Sequence, residues 1–377
     1  MPTTTDTTKQ GWQKLKLGDV CDVRDGTHDT PKKQVLGKSL ITSKQLKNGI
    51  VLSTDYFISD EDFVSVNKRS KVDKNDVLIS MIGTVGDTVF IKNEPNFAIK
   101  NIGLIKNSNP IQGQFVFYWL NSPSGKEEIN KRLRGTSQKF ISLGGLRELE
   151  IELPSLSEQK KIAEVLGAYD DLIEVNQKKI KILEELAQSI YKEWFVKPTQ
   201  NRIPEGWEVK KVEDLIKRIS VGKKYDNKTA SSMGIVPILD QGRSGFIGYH
   251  NDEPGVIATP ENPVIVFANH TCYENLIMFS FSAIQNVLPF VPIDEHDIMW
   301  LYYATKDLVS FNDYKGHWPE LMAKRISIPS VELTQKFGEI IKPMLIQKLT
   351  LEKQNQNLQK TRDLLIPQLV GGKISLK

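Results

Sequence analysis

The sequence predicts an α+β fold built twice, and three observations carry that prediction. The segment Ile151-Glu152-Leu153-Pro154-Ser155, leading into a long helical run, recurs as Ile326-Ser327-Ile328-Pro329-Ser330, leading into another. The openings also match: Gly11-Trp12 with Val20 and Val23 after it, and Gly206-Trp207 with Val212, Leu215 and Ile216 after it. Between each opening and its ending lie short β-type runs, turn signals and one or two helical stretches. A repeat on this scale fixes the order of the whole chain. That order is globular unit (1–155), helix (156–198), globular unit (199–330), helix (331–377). The expected architecture is two similar globular units separated by two long antiparallel coiled-coil helices, related by a pseudo-two-fold internal repeat. Such a layout makes a ruler or a clamp and needs no catalytic pocket.

In the first unit, strands are predicted at Asp76–Met81, Thr88–Ile91 and Ile99–Ile105. Turns fall at Lys47-Asn48-Gly49, Gly83, Gly86 and Asn93–Asn96, where Gly and Asn supply the backbone freedom a reversal needs. Helices are predicted at Gln114–Asn121 and Gly125–Arg134. The first long helix follows. Its apolar residues step by four and three along Ile162, Leu166, Tyr169, Ile173, Asn176, Ile180, Leu183, Ala187, Ile190 and Trp194, the spacing of a coiled-coil seam. Pro154 ends the preceding strand, Ser157 is the candidate N-cap, Glu158 puts negative charge in the first turn, Gly167 is a weak spot and Pro198 marks the exit.

In the second unit, strands are predicted at Val236–Leu239, Gly255–Ala258, Pro263–Ala268, Leu276–Phe281 and Leu288–Val291, with a helix at Ile298–Lys306. The second long helix reads Phe337, Ile341, Met344, Lys348, Leu351, Asn355, Leu358, Arg362, Leu365 and Leu369 at seam positions. Lys348 and Arg362 interrupt that seam. Pro343 should kink or split the helix, and Gly371-Gly372 should end it. With the helices antiparallel and Asn176 opposite Asn355, Ile180 meets Leu351, Ile173 meets Leu358, Ile190 meets Ile341 and Ile162 nears Leu369. A buried Asn pair fixes register at some cost in stability; the other placement has each Asn facing water at a seam edge. A helix over Ser157–Val196 spans roughly 60 Å at about 1.5 Å per residue. That is on the scale of roughly one to one and a half turns of duplex at about 3.4 Å per base pair.

Bulk properties narrow the class. Cys21 and Cys272 are isolated, which excludes a disulfide framework and a zinc spacing. A reducing, cytoplasmic setting is expected. Residues 1–10 lack the apolar core of a signal peptide, and no run of about eighteen apolar residues signals a membrane span. The net charge of +4 is uneven. Residues 1–153 hold 22 Lys and Arg against 18 Asp and Glu, and 329–377 hold 8 against 4, while both middle segments are slightly acidic. This suits a nucleic-acid partner and equally a solvated mixed-charge surface.

Motifs for chemistry are missing. The run IGTVGDT lacks the GK[ST] ending of a phosphate-binding loop, and no GxGxxG follows a strand. ENPVIV is not an adenine-methyltransferase Asn-Pro-Pro-aromatic loop. His28, His250, His270, His296 and His317 show no paired metal spacing, His270 and Cys272 form a lone HxC, and Glu208-Val209-Lys210 lacks the upstream Asp of a nuclease ExK. The expectation is no catalytic residue and no metal.

At this point the residues carry a family pattern. The stretch GTSQKFISLGGLRELEIELPSLSEQKKIAEVL (Gly135–Leu166), continued by DDLIEVNQKKIKILEELAQSIYKEWF (Asp170–Phe195), resembles the DNA-specificity subunits of type I restriction-modification systems. The Gly-Trp openings, Ile82–Gly86 and Ile326–Pro329 fit the same pattern. The resemblance spans essentially the whole chain and is weakest inside 220–320 and in the second long helix. It implies a non-catalytic reader with two target-recognition domains, one for each half of a split target in double-stranded DNA. It further implies helices that dock two methyltransferase subunits, with restriction (translocase and nuclease) subunits where a system has them. By the same resemblance, S-adenosylmethionine, ATP and Mg belong on partner subunits, with no cofactor in this chain.

Base edges are read by polar side chains, and phosphates are held by cations and backbone amides. The candidate DNA contacts are Gly83, Gly86, Lys100, Asn101, Arg134, Ser137, Gln138 and Lys139 in the first unit, and Lys223, Lys224, Tyr225, Gln241, Arg243 and Trp318 in the second. Gly83 and Gly86 read equally as plain turn glycines, and Trp318 as core. The competing functions are a chain with its own nuclease or methyltransferase activity, and a coiled-coil protein scaffold.

Overall fold

The computed structural model describes residues 11–47, 49–106, 110–242, 245–313 and 315–376. The chain forms two compact units. The first runs to Val175 and takes back the chain from Gln354; the second holds Asn176–Lys353. Both mix helix and sheet.

The first unit holds β1 (Gln13–Lys16), α1 (Leu17–Val20), β2 (Asp22–Asp25), β3 (Lys38–Thr42), β4 (Leu46–Lys47), β5 (Ile50–Val51), β6 (Phe57–Ile58), α2 (Asp60–Ser70), β7 (Val77–Ser80), β8 (Thr88–Phe90), β9 (Phe97–Lys100), β10 (Ile102–Lys106), α3 (Pro110–Asn121), α4 (Pro123–Lys131), α5 (Leu143–Arg147), β11 (Glu150–Leu153) and the start of α6 (Leu156–Tyr191). The first and last strands pair antiparallel, Gln13 with Leu153 and Lys16 with Glu150. The central sheet has the order β2-β10-β7-β8 and is antiparallel throughout. A second sheet, β6-β3-β9, contains the parallel pair β3–β9.

The second unit holds β12 (Glu208–Lys211), β13 (Ile216–Arg218), β14 (Lys224–Tyr225), β15 (Val236–Leu239), β16 (Phe246–His250), β17 (Val264–Ala268), β18 (Glu274–Ile277), β19 (Ser282–Ile284), β20 (Val287–Pro292), α7 (Ile298–Thr305), α8 (Trp318–Ala323), β21 (Arg325–Ile328) and most of α9 (Val331–Leu369). It repeats the plan of the first unit. β12 pairs antiparallel with β21, β13-β20-β17-β18 form an antiparallel sheet, and β14-β19-β15-β16 contains the parallel pair β15–β19. The repeat therefore extends into the interiors, although their sequences diverge.

Each closing strand alternates, with Ile151 and Leu153, or Ile326 and Ile328, buried under its unit. A proline and a serine then turn the chain into the long helix. The N-cap of α6 is Ser155 and not Ser157: its hydroxyl accepts from the Glu158 N–H at 3.3 Å, which starts the helix earlier and satisfies an orphan donor. Ser330 caps α9 in the same way, accepting from the Leu333 N–H at 3.3 Å.

The helical segments run antiparallel within each unit. In the first, Ile162 and Leu166 share a core with Ile366, Leu369 and Val370. Asn355 Nδ2 donates to the Ile173 carbonyl at 3.4 Å. Arg362 pairs with Asp170, whose other oxygen accepts from the Tyr118 hydroxyl at 2.6 Å. In the second, Tyr191, Trp194 and Phe195 gather round Phe337, and Lys348 reaches Glu184 at 2.6 Å. Lys348 and Arg362, which seemed to interrupt the seam, are thus satisfied by carboxylates on α6. Asn176 and Asn355 are 8% and 7% exposed, so neither faces water at a seam edge. The remaining seam positions (Tyr169, Ile180, Leu183, Ile190, Leu351, Leu358 and Leu365) are all at least half-buried.

Four further expectations need correction. α9 continues through Pro343, because that proline removes a single N–H and Ile341 and Met344 pack into the core on either side. α6 runs unbroken through Gly167, which is buried beside α3; a side chain there would meet the end of the Gln114 side chain. Gly255–Ala258 is not a strand; only Val256 makes a bridge, to Phe281, and β18 lies at Glu274–Ile277. The run Ile99–Ile105 is two strands, split where Asn101 adopts φ 54°. The helix α2 carried no hydrophobic signature strong enough to be read from sequence; Ser59 caps it by accepting from the Asp62 N–H.

Among the described residues, no helix is long and apolar enough to cross a membrane. Two predictions follow from the packing. Asp170→Ala removes the carboxylate shared by Tyr118 and Arg362, of which Arg362 keeps Asp363, and should cost about 1–3 kcal/mol in a urea melt. In the second unit, burial pushes the Glu274 carboxyl up to about 8 from its ordinary 4.5, against a hydrogen bond from Thr305 at 2.6 Å. The folded state therefore keeps a proton that the unfolded chain releases. The stability this carboxyl contributes is present below pH 4.5 and lost as pH rises to about 8. Thermal melts from pH 5 to 8 should show a decline that Glu274→Gln flattens.

Candidate nucleic-acid interface

In the first unit the topology collects the candidate loops at one end of the central sheet. β2 and β7 both end where β10 begins, since Gly103 pairs with Asp25 and Ile102 with Ser80. The loop after β7 holds Gly83 and Gly86, at φ 81° and 99°. The turn requires glycine at both positions, and at Gly83 the space beside the backbone is open. The Arg134–Lys139 loop is tied to it: Arg134 and Phe140 exchange backbone hydrogen bonds, Gly83 N–H donates to the Lys139 carbonyl at 3.3 Å, and Ile141 N–H to the Met81 carbonyl at 2.9 Å. Arg134, Ser137, Gln138 and Lys139 are all exposed. Two loops far apart in sequence thus form one surface.

Lys100 and Asn101 lie at the same sheet end. Lys100 is half-buried and bonded to Thr30. Asn101 Oδ1 lies 2.8 Å from His28 Nδ1, and His28 Nε2 donates to Asp25 Oδ2 at 2.9 Å. Buried Asp25 also accepts from Arg69. Sequence reasoning missed His28, Asp25 and Arg69, whose connection exists only through the fold.

The second unit presents the equivalent end, with the loop after β17, the turn before β20 and the end of β13. Lys224, Tyr225, Gln241, Gln285 and Asn286 line a concavity of about 470 Å³ there. Gln241 Oε1 accepts from the His270 N–H at 3.1 Å. Tyr225 is only 5% exposed, stacked on His250 with its hydroxyl on Asp252 at 2.9 Å, so little more than its edge reaches the concavity. Lys223 is drawn to Asp252 at 2.7 Å and lies over the Tyr225 ring; its ammonium holds that carboxyl below the usual range. Trp318 is half-buried against Phe267 and Phe290, with Arg218 over its ring, and its backbone N–H donates to Asn269 Oδ1 at 2.8 Å. Arg243 lies outside the described residues. Asn269 and Asn286 were not singled out by sequence, and His270 was noted only for its HxC spacing to Cys272; no spacing links the three.

Among the described residues, no group of three His, Cys, Asp or Glu side chains could hold a metal ion. The surfaces offer cations, amides, hydroxyls and open backbone at loop tips, which is equipment for recognition.

The fold therefore defines a protein of two topologically equivalent α+β units, each closed by a strand that feeds a long helix. Residues 9–185 match the family model described as type I restriction modification DNA specificity domain. The chain is 26% identical to the type I restriction enzyme MjaIX specificity subunit of Methanocaldococcus jannaschii, across 97% of this chain and 94% of that one. It is 21% identical to the HindI specificity subunit of Haemophilus influenzae, across 87% and 94%. A crystal structure of a type I restriction-modification S subunit from M. genitalium superposes with a TM-score of 0.63 at 17% identity, covering 95% of this chain and 96% of that one. Residues 9–185 are thus similar to a type I restriction modification DNA specificity domain, and the relatives that match along most of the chain are named specificity subunits of type I restriction enzymes.

Gly135 makes the loop surface testable. It sits at φ 89°, and a Cβ there would overlap the Gln138 carbonyl. Gly135→Ala should destabilise by about 1–2 kcal/mol through local strain. It should also weaken DNA binding, read by fluorescence anisotropy, more than Gly49→Ala, which sits in a left-handed turn between β4 and β5.

Proposed function

We propose that this chain reads a bipartite duplex target, one half-site per unit, through the loops gathered at one end of each central sheet. The observation that carries this reading is the convergence just described: loops distant in sequence meet at equivalent sheet ends, and they carry exposed Arg134 and Lys139 in one unit and Lys224 in the other. Cations of this kind hold phosphates, and the amides between them are suited to base edges.

Partner docking falls to the long helices. On α6 the seam residues are covered, while Leu172 and Val175 in the first unit and Ile182 and Leu186 in the second are exposed. Apolar side chains at these spacings on a solvent face are suited to a protein partner. We assign that face to methyltransferase subunits, which would bring S-adenosylmethionine chemistry; ATP and Mg would belong to restriction subunits. A cytoplasmic location is consistent with this role.

Two measurements test the reading. Single-molecule methylation mapping of cells co-expressing the chain with its methyltransferase should give two short half-sites at a fixed gap, with adenine methylated on each strand. A continuous motif, or methylation without this chain, would overturn it. In anisotropy titrations Lys139→Ala should weaken binding to every sequence alike and reduce the slope of log K against log salt by about 0.9, as loss of one phosphate contact does.

A further inference from the structure

One asparagine occupies the same place in both units. Asn101 (φ 54°) joins β9 to β10, and Asn286 (φ 69°) joins β19 to β20. β10 and β20 are corresponding inner strands of the two central sheets. Both backbone carbonyls accept a hydrogen bond. The Asn101 N–H donates to the Thr27 carbonyl at 3.2 Å and its carbonyl accepts from Ser43 at 2.9 Å; the Asn286 carbonyl accepts from the Asn269 N–H at 2.9 Å. Both side chains are half-exposed at the recognition end.

Each amide is held by a histidine that is itself held. His28, fixed by Asp25, faces Asn101 Oδ1 at 2.8 Å. His270 Nδ1 donates to the Lys315 carbonyl at 2.9 Å, which leaves Nε2 as the acceptor for Asn286 Nδ2 at 2.9 Å. The histidines arrive from different loops, after β2 in one unit and after β17 in the other, so the arrangement is no residue of the sequence repeat. Each amide uses one position on its histidine. Whichever end of its amide faces His28, Asn101 keeps an acceptor lone pair and an amide hydrogen; Asn286 keeps its oxygen and one hydrogen. An acceptor and a donor side by side match the N6 and N7 edge of adenine in the major groove.

We propose that Asn101 and Asn286 are equivalent adenine-reading residues, one per unit, and that His28 and His270 are positioning residues that fix the angle of each amide. This rests on the DNA-reading assignment above. The test uses the full chain co-expressed with its methyltransferase, methylation mapping, and thermal melting of the purified complex. Asn101→Gly and Asn286→Gly keep the left-handed backbone and remove the amide, so stability should hold or rise. Each should lower discrimination by about 10-fold or more at a single adenine, in opposite half-sites. His28→Ala and His270→Ala should relax the same adenine as the partner asparagine. An unaltered motif in both glycine variants would make these asparagines turn residues only and overturn the proposal. Relaxation at another base, or uniform loss across all sequences, would overturn it too. A wild-type chain that yields a split motif confines such a failure to this proposal; one that yields no motif removes the DNA-reading assignment with it.

Discussion

Everything in each unit depends on the pairing of its first strand with its last. β1 with β11, and β12 with β21, are short antiparallel pairs whose closing partner continues within three residues into a long helix. Ile151 and Leu153, or Ile326 and Ile328, put their side chains under the unit, while Pro154-Ser155 and Pro329-Ser330 stop the strand and cap the helix. Shifting either closing strand by one residue would turn its apolar face to solvent and detach the helix from the core. Since both ends of the unit are committed to this pair, the chain between them can vary without disturbing the helix.

That separation fits the proposed placement of recognition. The four-stranded sheet fixes positions; the loops at its end carry chemistry. In the first unit, Ser80, Ile102 and Asp25 lie in register at that end, so whatever follows or precedes them must share one surface. The second unit reaches the same result with Ala268 and Val287. Under the proposed reading, different loop sequences on one frame let one architecture read two different half-sites.

The helices follow a related logic. An apolar seam gives stability without choosing a register, whereas Asp170 with Arg362 and Glu184 with Lys348 are satisfied only in the observed alignment. Partly buried ion pairs add little net stability but penalise wrong partners. Lys348 and Arg362, defects when a single helix is considered, are complements when its neighbour is present.

The repeat, the strand–proline–serine–helix junctions and the four-three seam were legible in the sequence, because each rests on local periodicity or capping chemistry along one segment. Ile162 through Trp194 could be assigned to a covered stripe from spacing alone. The shared topology of the interiors was not legible, since sheet order depends on pairings between strands tens of residues apart that different sequences satisfy equally well. The serine cap of α6 was placed at Ser157 instead of Ser155 because both residues suit the role and only the helix start distinguishes them. Of the residues proposed for recognition, Asn101 was named from the sequence as a candidate DNA contact, but Asn286, His28 and His270 were not. Their significance lies in hydrogen bonds across 73 and 16 residues of chain. Residue type and local pattern thus determined the elements and their order; only the tertiary structure decided which side chains meet, because a contact between loops is set by the register of the strands that carry them.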